Sequence, residues 1–145
     1  MKKSFMLFAA ICVLAGGSPA GAQTMSFADA ITQLAAACGG DVAKYCKGVE
    51  LGRGQLKACL DNNSGRLSPR CAQTRDTVYA SISRRIQAQR SIGSVCSADI
   101  ARLCGVYPAD GNLVTCLKGV MPSAISPACN QTFTDTGWRT ERAQQ

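Results

Sequence analysis

Apolar residues recur along this chain at helical spacing. Over residues 26–37, Phe27, Ile31, Leu34 and then Cys38 form one stripe, and Ser26 stands where a capping hydroxyl is wanted. Gly39-Gly40 is expected to interrupt that helix. Asp41 would then cap a new turn over residues 42–46, its carboxylate accepting from otherwise unpaired amides, and Asp99 would do the same for residues 100–104. Short helices are predicted over residues 55–61 and 112–118. Leu56, Cys59 and Leu60 share a face of the first; Leu113, Cys116 and Leu117 share a face of the second. Asn62-Asn63-Ser64-Gly65 is turn composition. Ser68-Pro69 is a helix start, with Ser at the cap and Pro at the first helical position. The helix it opens is predicted to reach about Gln89, burying Cys71, Val78, Ile82 and Ile86 with Tyr79 on the margin. Residues 92–95 read as a link, and residues 130–135 as a last helix. A polar tail follows Gly137-Trp138 and should fray. Trp138, the sole Trp, is expected to cover a core.

The same pattern occurs twice. Cys38, Cys46, Cys59 and Cys71 match Cys96, Cys104, Cys116 and Cys129 at a constant offset with one local slip. Asp41 matches Asp99, Gly54 matches Gly111, Leu56 matches Leu113, and Ser68-Pro69 matches Ser126-Pro127. Such self-similarity marks an internal repeat. The fold class it implies is all-α: two tandem disulfide-stapled helical repeats packed together. The boundaries read as a leader over 1–22, an N-terminal helix plus first repeat with its long third helix over 23–95, and a second repeat with a polar tail over 96–145. The loops that follow Cys46 and Cys104 differ in sequence, as binding loops on a fixed scaffold do.

The leader assignment rests on Lys2-Lys3, an apolar run over residues 5–15, and Ala20-Gly21-Ala22 before Gln23, the layout of a secretory signal. The run is short for a membrane span, so no transmembrane anchor is expected after cleavage. Cleavage would leave 123 residues and eight of the nine cysteines, because Cys12 departs with the leader. An even set at matched spacings in an exported chain implies disulfides. With no histidine and no Cys-x-x-Cys, neither a zinc site nor a thioredoxin-type redox pair is expected, and no cofactor. The chain must turn back between its cysteines. The nested pairing Cys38–Cys71 with Cys46–Cys59, and Cys96–Cys129 with Cys104–Cys116, fits that return best, although four cysteines allow three pairings per repeat.

Losing Lys2 and Lys3 lowers the net charge from +7 to +5, still a bias towards anionic partners. Arg70, Arg84 and Arg90 on the long helix are the candidate contacts for such a partner; Arg75 and Arg85 flank its buried stripe and could pair with carboxylates. Aromatic and basic residues do not interleave as in single-strand binders, so nucleic acid is not an expected partner. The absence of histidine excludes Ser-His and Cys-His mechanisms. The nine acids are scattered, which leaves a carboxylate-based hydrolase weakly supported.

The run Cys-x7-Cys, then G-x-L-x-x-C-L, then S-P-x-Cys resembles the cysteine-rich repeat family of the Golgi cysteine-rich sialoglycoprotein. The resemblance covers about residues 38–135 and implies an all-α, disulfide-stapled repeat. Two repeats behind a bacterial-style leader suggest a small secreted member, periplasmic or secreted. The expected role is a non-catalytic binding or scaffold module whose partner is another protein or an anionic glycan. The alternative is an envelope stress or inhibitory factor acting on another protein.

Overall fold

The computed structural model describes residues 23–50, 52–105 and 112–139. The leader expected over 1–22, most of the loop after Cys104 and the tail from residue 140 lie outside the described residues. The elements are α1 (Phe27–Tyr45), α2 (Gln55–Asn62), α3 (Pro69–Val95), α4 (Ser97–Leu103), α5 (Asn112–Gly119) and α6 (Pro127–Asp135). Single 3-10 turns, Ser64–Arg66 and Pro122–Ala124, precede α3 and α6. Every regular element among the described residues is helical, and none is a strand.

α3 is the spine. α1 runs antiparallel along its first half, as the Cys38–Cys71 bridge at one end and the bond from Met25 N to Ser81 Oγ (2.8 Å) at the other require. α6 runs antiparallel along its second half, fixed by Cys96–Cys129 and by Gln89 Nε2 donating to the Thr136 carbonyl (3.1 Å). The start of α1 and the end of α6 therefore meet over the middle of α3. Thr24 Oγ1 donates to the Asp135 carbonyl (2.6 Å), and Gln23 Nε2 to the Arg139 carbonyl (3.0 Å). Arg85 sits under this junction. Its Nη1 donates to the carbonyls of Met25 (3.2 Å) and Thr24 (3.4 Å), and its guanidinium lies 5.7 Å from the Phe27 ring centre.

Three sequence expectations need correction. Gly39-Gly40 does not interrupt α1, which runs unbroken to Tyr45. Two glycines weaken a helix by about 1 kcal/mol each relative to Ala, but here the helix is pinned on both sides of them by Cys38 and Cys46, both bridged and buried. Residues 92–95 are not a link: α3 continues through them to Val95, because Ile92 is buried in the second core and holds that last turn down. The apolar stripe of α1 is only half covered. Leu34 packs against the first core, while Phe27 and Ile31 are 48% and 64% exposed.

Each repeat has its own core. Cys38, Cys46, Leu60 and Cys71 form the first; Cys96, Cys104, Leu117 and Cys129 occupy the matching places in the second. The second is better filled. It buries Phe133, where the first repeat has Arg75 at the same offset, and lays Trp138 against the outside. Ile82 and Ile86 are half-buried on α3, whose fully buried residues are Cys71, Val78, Ala88 and Ile92.

Candidate functional site

The structure joins the eight cysteines in a nested arrangement. Cys38 bonds to Cys71 and Cys46 to Cys59; Cys96 bonds to Cys129 and Cys104 to Cys116. In each repeat the outer bridge ties the lead helix to the third helix, and the inner bridge folds the short middle helix across them.

Asp41 and Asp99 do not cap the helices that contain them, as the sequence suggests. Asp41 lies inside α1, where the amides are paired along the helix, and Asp99 lies on the first turn of α4, which has no side-chain cap. They reach across to the Ser-Pro pair instead. Asp41 Oδ2 accepts from Ser68 N (3.1 Å) and Ser68 Oγ (2.7 Å); Asp99 Oδ2 accepts from Ser126 N and Ser126 Oγ at the same two distances. Each Ser Oγ in turn accepts from the amide of the third-helix cysteine, Cys71 or Cys129, at 3.3 Å. Aspartate, serine cap and bridged cysteine thus form one relay beside the outer disulfide of each repeat. The Ser126 hydroxyl, and after it the Arg102 guanidinium at 2.7 Å, hold the Asp99 carboxyl below its ordinary range. The sequence carried the signal, since both pairs recur in both copies, but not the distance between them.

The two copies share this frame and differ at its rim. The first carries Lys44, Lys47, Arg53, Lys57, Arg66 and Arg70, all exposed. At the matching places the second has Arg102, Gly105, Asp110, Val114, Ala124 and Ala128. At these places that is six cations against one, while the second copy has an exposed Lys118 where the first has Asp61; Lys57 is engaged by Asp61, and Arg102 by Asp99 and by the Ala124 carbonyl (2.6 Å). In the first copy Tyr45, which matches Leu103, gathers two of the cations: Lys44 Nζ lies 4.9 Å and the Arg66 guanidinium 5.3 Å from its ring centre. Such contacts hold a cation over an aromatic face at a modest energetic gain.

Beside this rim the first copy has an apolar cavity of about 370 Å³. Its walls come from α1 (Ile31, Leu34, Val42), α2 (Leu56, Leu60) and Tyr79 of α3. Lys57 stands at its edge, paired with Asp61 at 2.5 Å and 4.9 Å from the Tyr79 ring centre. Burial, followed by the Asp61 charge, pushes the Tyr79 phenol up to about 12, so it stays a neutral hydrogen-bond donor.

The three arginines singled out from the sequence do not converge. All are exposed on α3. Arg70 lies on its first turn, at the cationic end of the first repeat. Arg84 is about 21 Å further along the axis and Arg90 about 9 Å beyond that. Arg75 and Arg85 are engaged: Arg75 Nη2 pairs with Asp76 (2.7 Å), and Arg85 holds the junction. Among the described residues no group of three or more acidic or cysteine side chains could hold a metal ion.

These features define a cysteine-rich, disulfide-bonded, all-α repeat protein. Four disulfides place it in an oxidising compartment, and among the described residues no helix is long and apolar enough to cross a membrane. The chain is similar to Golgi apparatus protein 1. It is 31% identical to that protein of Gallus gallus over 103 residues, a match covering 70% of this chain and 9% of the relative. For Rattus norvegicus it is 31% over 100 residues, 68% of this chain and 8% of the relative, and for Homo sapiens 30% over the same length and shares. This chain therefore spans a small fraction of those relatives. No family model matches it, and no solved structure does.

Proposed function

We propose that this chain is an exported two-repeat member of the cysteine-rich repeat family, periplasmic or secreted, that acts as a non-catalytic binding module for an anionic partner. The units are residues 23–95 and 96–145 once the leader over 1–22 is removed. The observation that carries the reading is the rim difference. One scaffold is built twice, and only one copy is ringed with exposed cations. A requirement for solubility would be met by cations on either copy; a binding face belongs on one. The chemistry-bearing side chains of the frame are engaged in holding it, with the eight cysteines paired and Asp41 and Asp99 bonded to Ser68 and Ser126.

Of the three candidate arginines, Arg70 belongs to this face with Lys44 and Arg66; Arg84 and Arg90 serve as controls. The test is elution from an immobilised sulfated polysaccharide in a salt gradient, since exposed charge contacts are screened by salt. Replacing Lys44, Arg66 and Arg70 by Gln should move elution to clearly lower salt. Replacing Arg84 and Arg90 by Gln should move it much less. Equal shifts would mean that net charge, not a face, governs binding, and would overturn the proposal.

A further inference from the structure

We infer that the cavity of the first repeat binds the chain of a monomeric anionic amphiphile, with the acid group held at Lys57. The inference rests on the reading above that the chain binds rather than catalyses, and it names a ligand class for the first repeat. Three observations carry it. The cavity falls within the range of about 300–1,000 Å³ typical of small-ligand sites, and its walls are almost wholly apolar. The wall contributed by α3 is Tyr79, where the second copy has Gly137 at the same offset. The polar groups of the cavity are a cation at its edge, Lys57, and the neutral phenol of Tyr79 in its wall, both able to donate hydrogen bonds, and the cations of the rim lie on the same repeat. An apolar body with an anionic head is complementary to this arrangement. A neutral alkane lacks the head, and a cationic amphiphile meets like charge.

Gly39 gives a clean test of occupancy. It lines the cavity from mid-α1, and a Cβ added there meets nothing within 4 Å. Gly39→Leu therefore reaches into open space while removing a helix-weakening glycine. Ala35→Leu, on the same wall and exposed, is the second blocking variant. Asp61 competes with the ligand head for Lys57, so Asp61→Asn should tighten binding and Lys57→Met should weaken it.

The experiment is calorimetric titration of the oxidised mature protein with sodium dodecanoate below its micelle concentration. Parallel titrations use dodecanol, dodecyltrimethylammonium, and vesicles of phosphatidylglycerol in phosphatidylcholine. One dodecanoate per chain is expected, weakened at least tenfold by Gly39→Leu and by Ala35→Leu with thermal melting preserved or raised. Dodecanol should bind more weakly and the ammonium weakest. Absence of binding, equal binding of the cationic amphiphile, or insensitivity to both blocking variants would overturn the inference. Binding to the vesicles without binding to monomeric dodecanoate would also overturn it, in favour of surface adsorption through the rim. A chain that passes the polysaccharide test yet ignores dodecanoate would leave the binding-module reading standing and remove this one.

Discussion

The junction where α1 and α6 meet over α3 offers a sharp test, and Gly137 is the place to apply it. Gly137 follows α6 with φ +71°, the left-handed conformation that ends many helices. An added Cβ there would lie 2.1–2.3 Å from three guanidinium atoms of Arg85. Gly137→Ala thus has two separable costs. The backbone conformation costs about 1–2 kcal/mol for a residue with a Cβ. Displacing Arg85 forfeits its two bonds to the Thr24 and Met25 carbonyls; hydrogen bonds to charged groups are worth about 1.5–3 kcal/mol, and long bonds on a half-buried side chain belong near the bottom of that range. The expected loss is about 2.5–4 kcal/mol by urea denaturation followed by circular dichroism. Gly48→Ala is the control, since Gly48 has φ +78° with open space around its missing Cβ; it should cost only the backbone term. In an Arg85→Ala background, Gly137→Ala should also cost only that term, giving a coupling of at least about 1 kcal/mol between the two sites. Additivity within about 0.5 kcal/mol would refute the claim that Arg85 locks the two repeats together at this point.

Four further outcomes follow from the same structure. Full reduction should abolish most far-ultraviolet helicity at ambient temperature, because a bridge closing a loop of this size contributes about 3–4 kcal/mol against a typical net stability of about 5–15 kcal/mol; an unchanged melt would contradict this. Asp99 is held below its ordinary range in the folded chain, so its contribution is full above the unfolded value near 4 and disappears as pH falls through the lower folded value; acid titration of stability should show a loss that Asp99→Asn flattens. Tyr79 behaves in the opposite sense. Its phenol is raised to about 12, so its stabilising contribution is present below about pH 10 and fades as pH climbs through the folded value, and ultraviolet titration should find one phenolate ionising late. Gly40→Ala, exposed in the middle of α1 with nothing near its missing Cβ, should raise stability by about 0.5–1 kcal/mol in thermal melts.

Local signals were legible in the sequence and distant ones were not. Ser68-Pro69 and Ser126-Pro127 open α3 and α6 as their chemistry dictates, with each Ser Oγ accepting from the amide three residues on. The short helices α2 and α5 stand within a residue of their expected ends. Gly39-Gly40 misleads because glycine reports only local propensity, whereas α1 is held by bridges at Cys38 and Cys46. Asp41 and Asp99 mislead for a related reason. A carboxylate before a short apolar run looks like a cap, and nothing local reveals that a serine 27 residues later lies within hydrogen-bonding reach. The cavity was invisible for a third reason. It gathers Ile31, Leu34, Val42, Leu56, Leu60 and Tyr79 from three helices, and their convergence is set by how those helices pack, not by any local pattern.

α3 is at once the third helix of the first repeat and the lead helix of the second, so one rigid rod sets the phase between them. Each residue inserted between Cys71 and Cys96 would swing the second unit by about 100° and slide it about 1.5 Å. Thr24 and Asp135 would then part company. A longer rod would restore this angle only in steps close to whole turns, so the spacing between Cys71 and Cys96 works as a dial for the relative orientation of the two units.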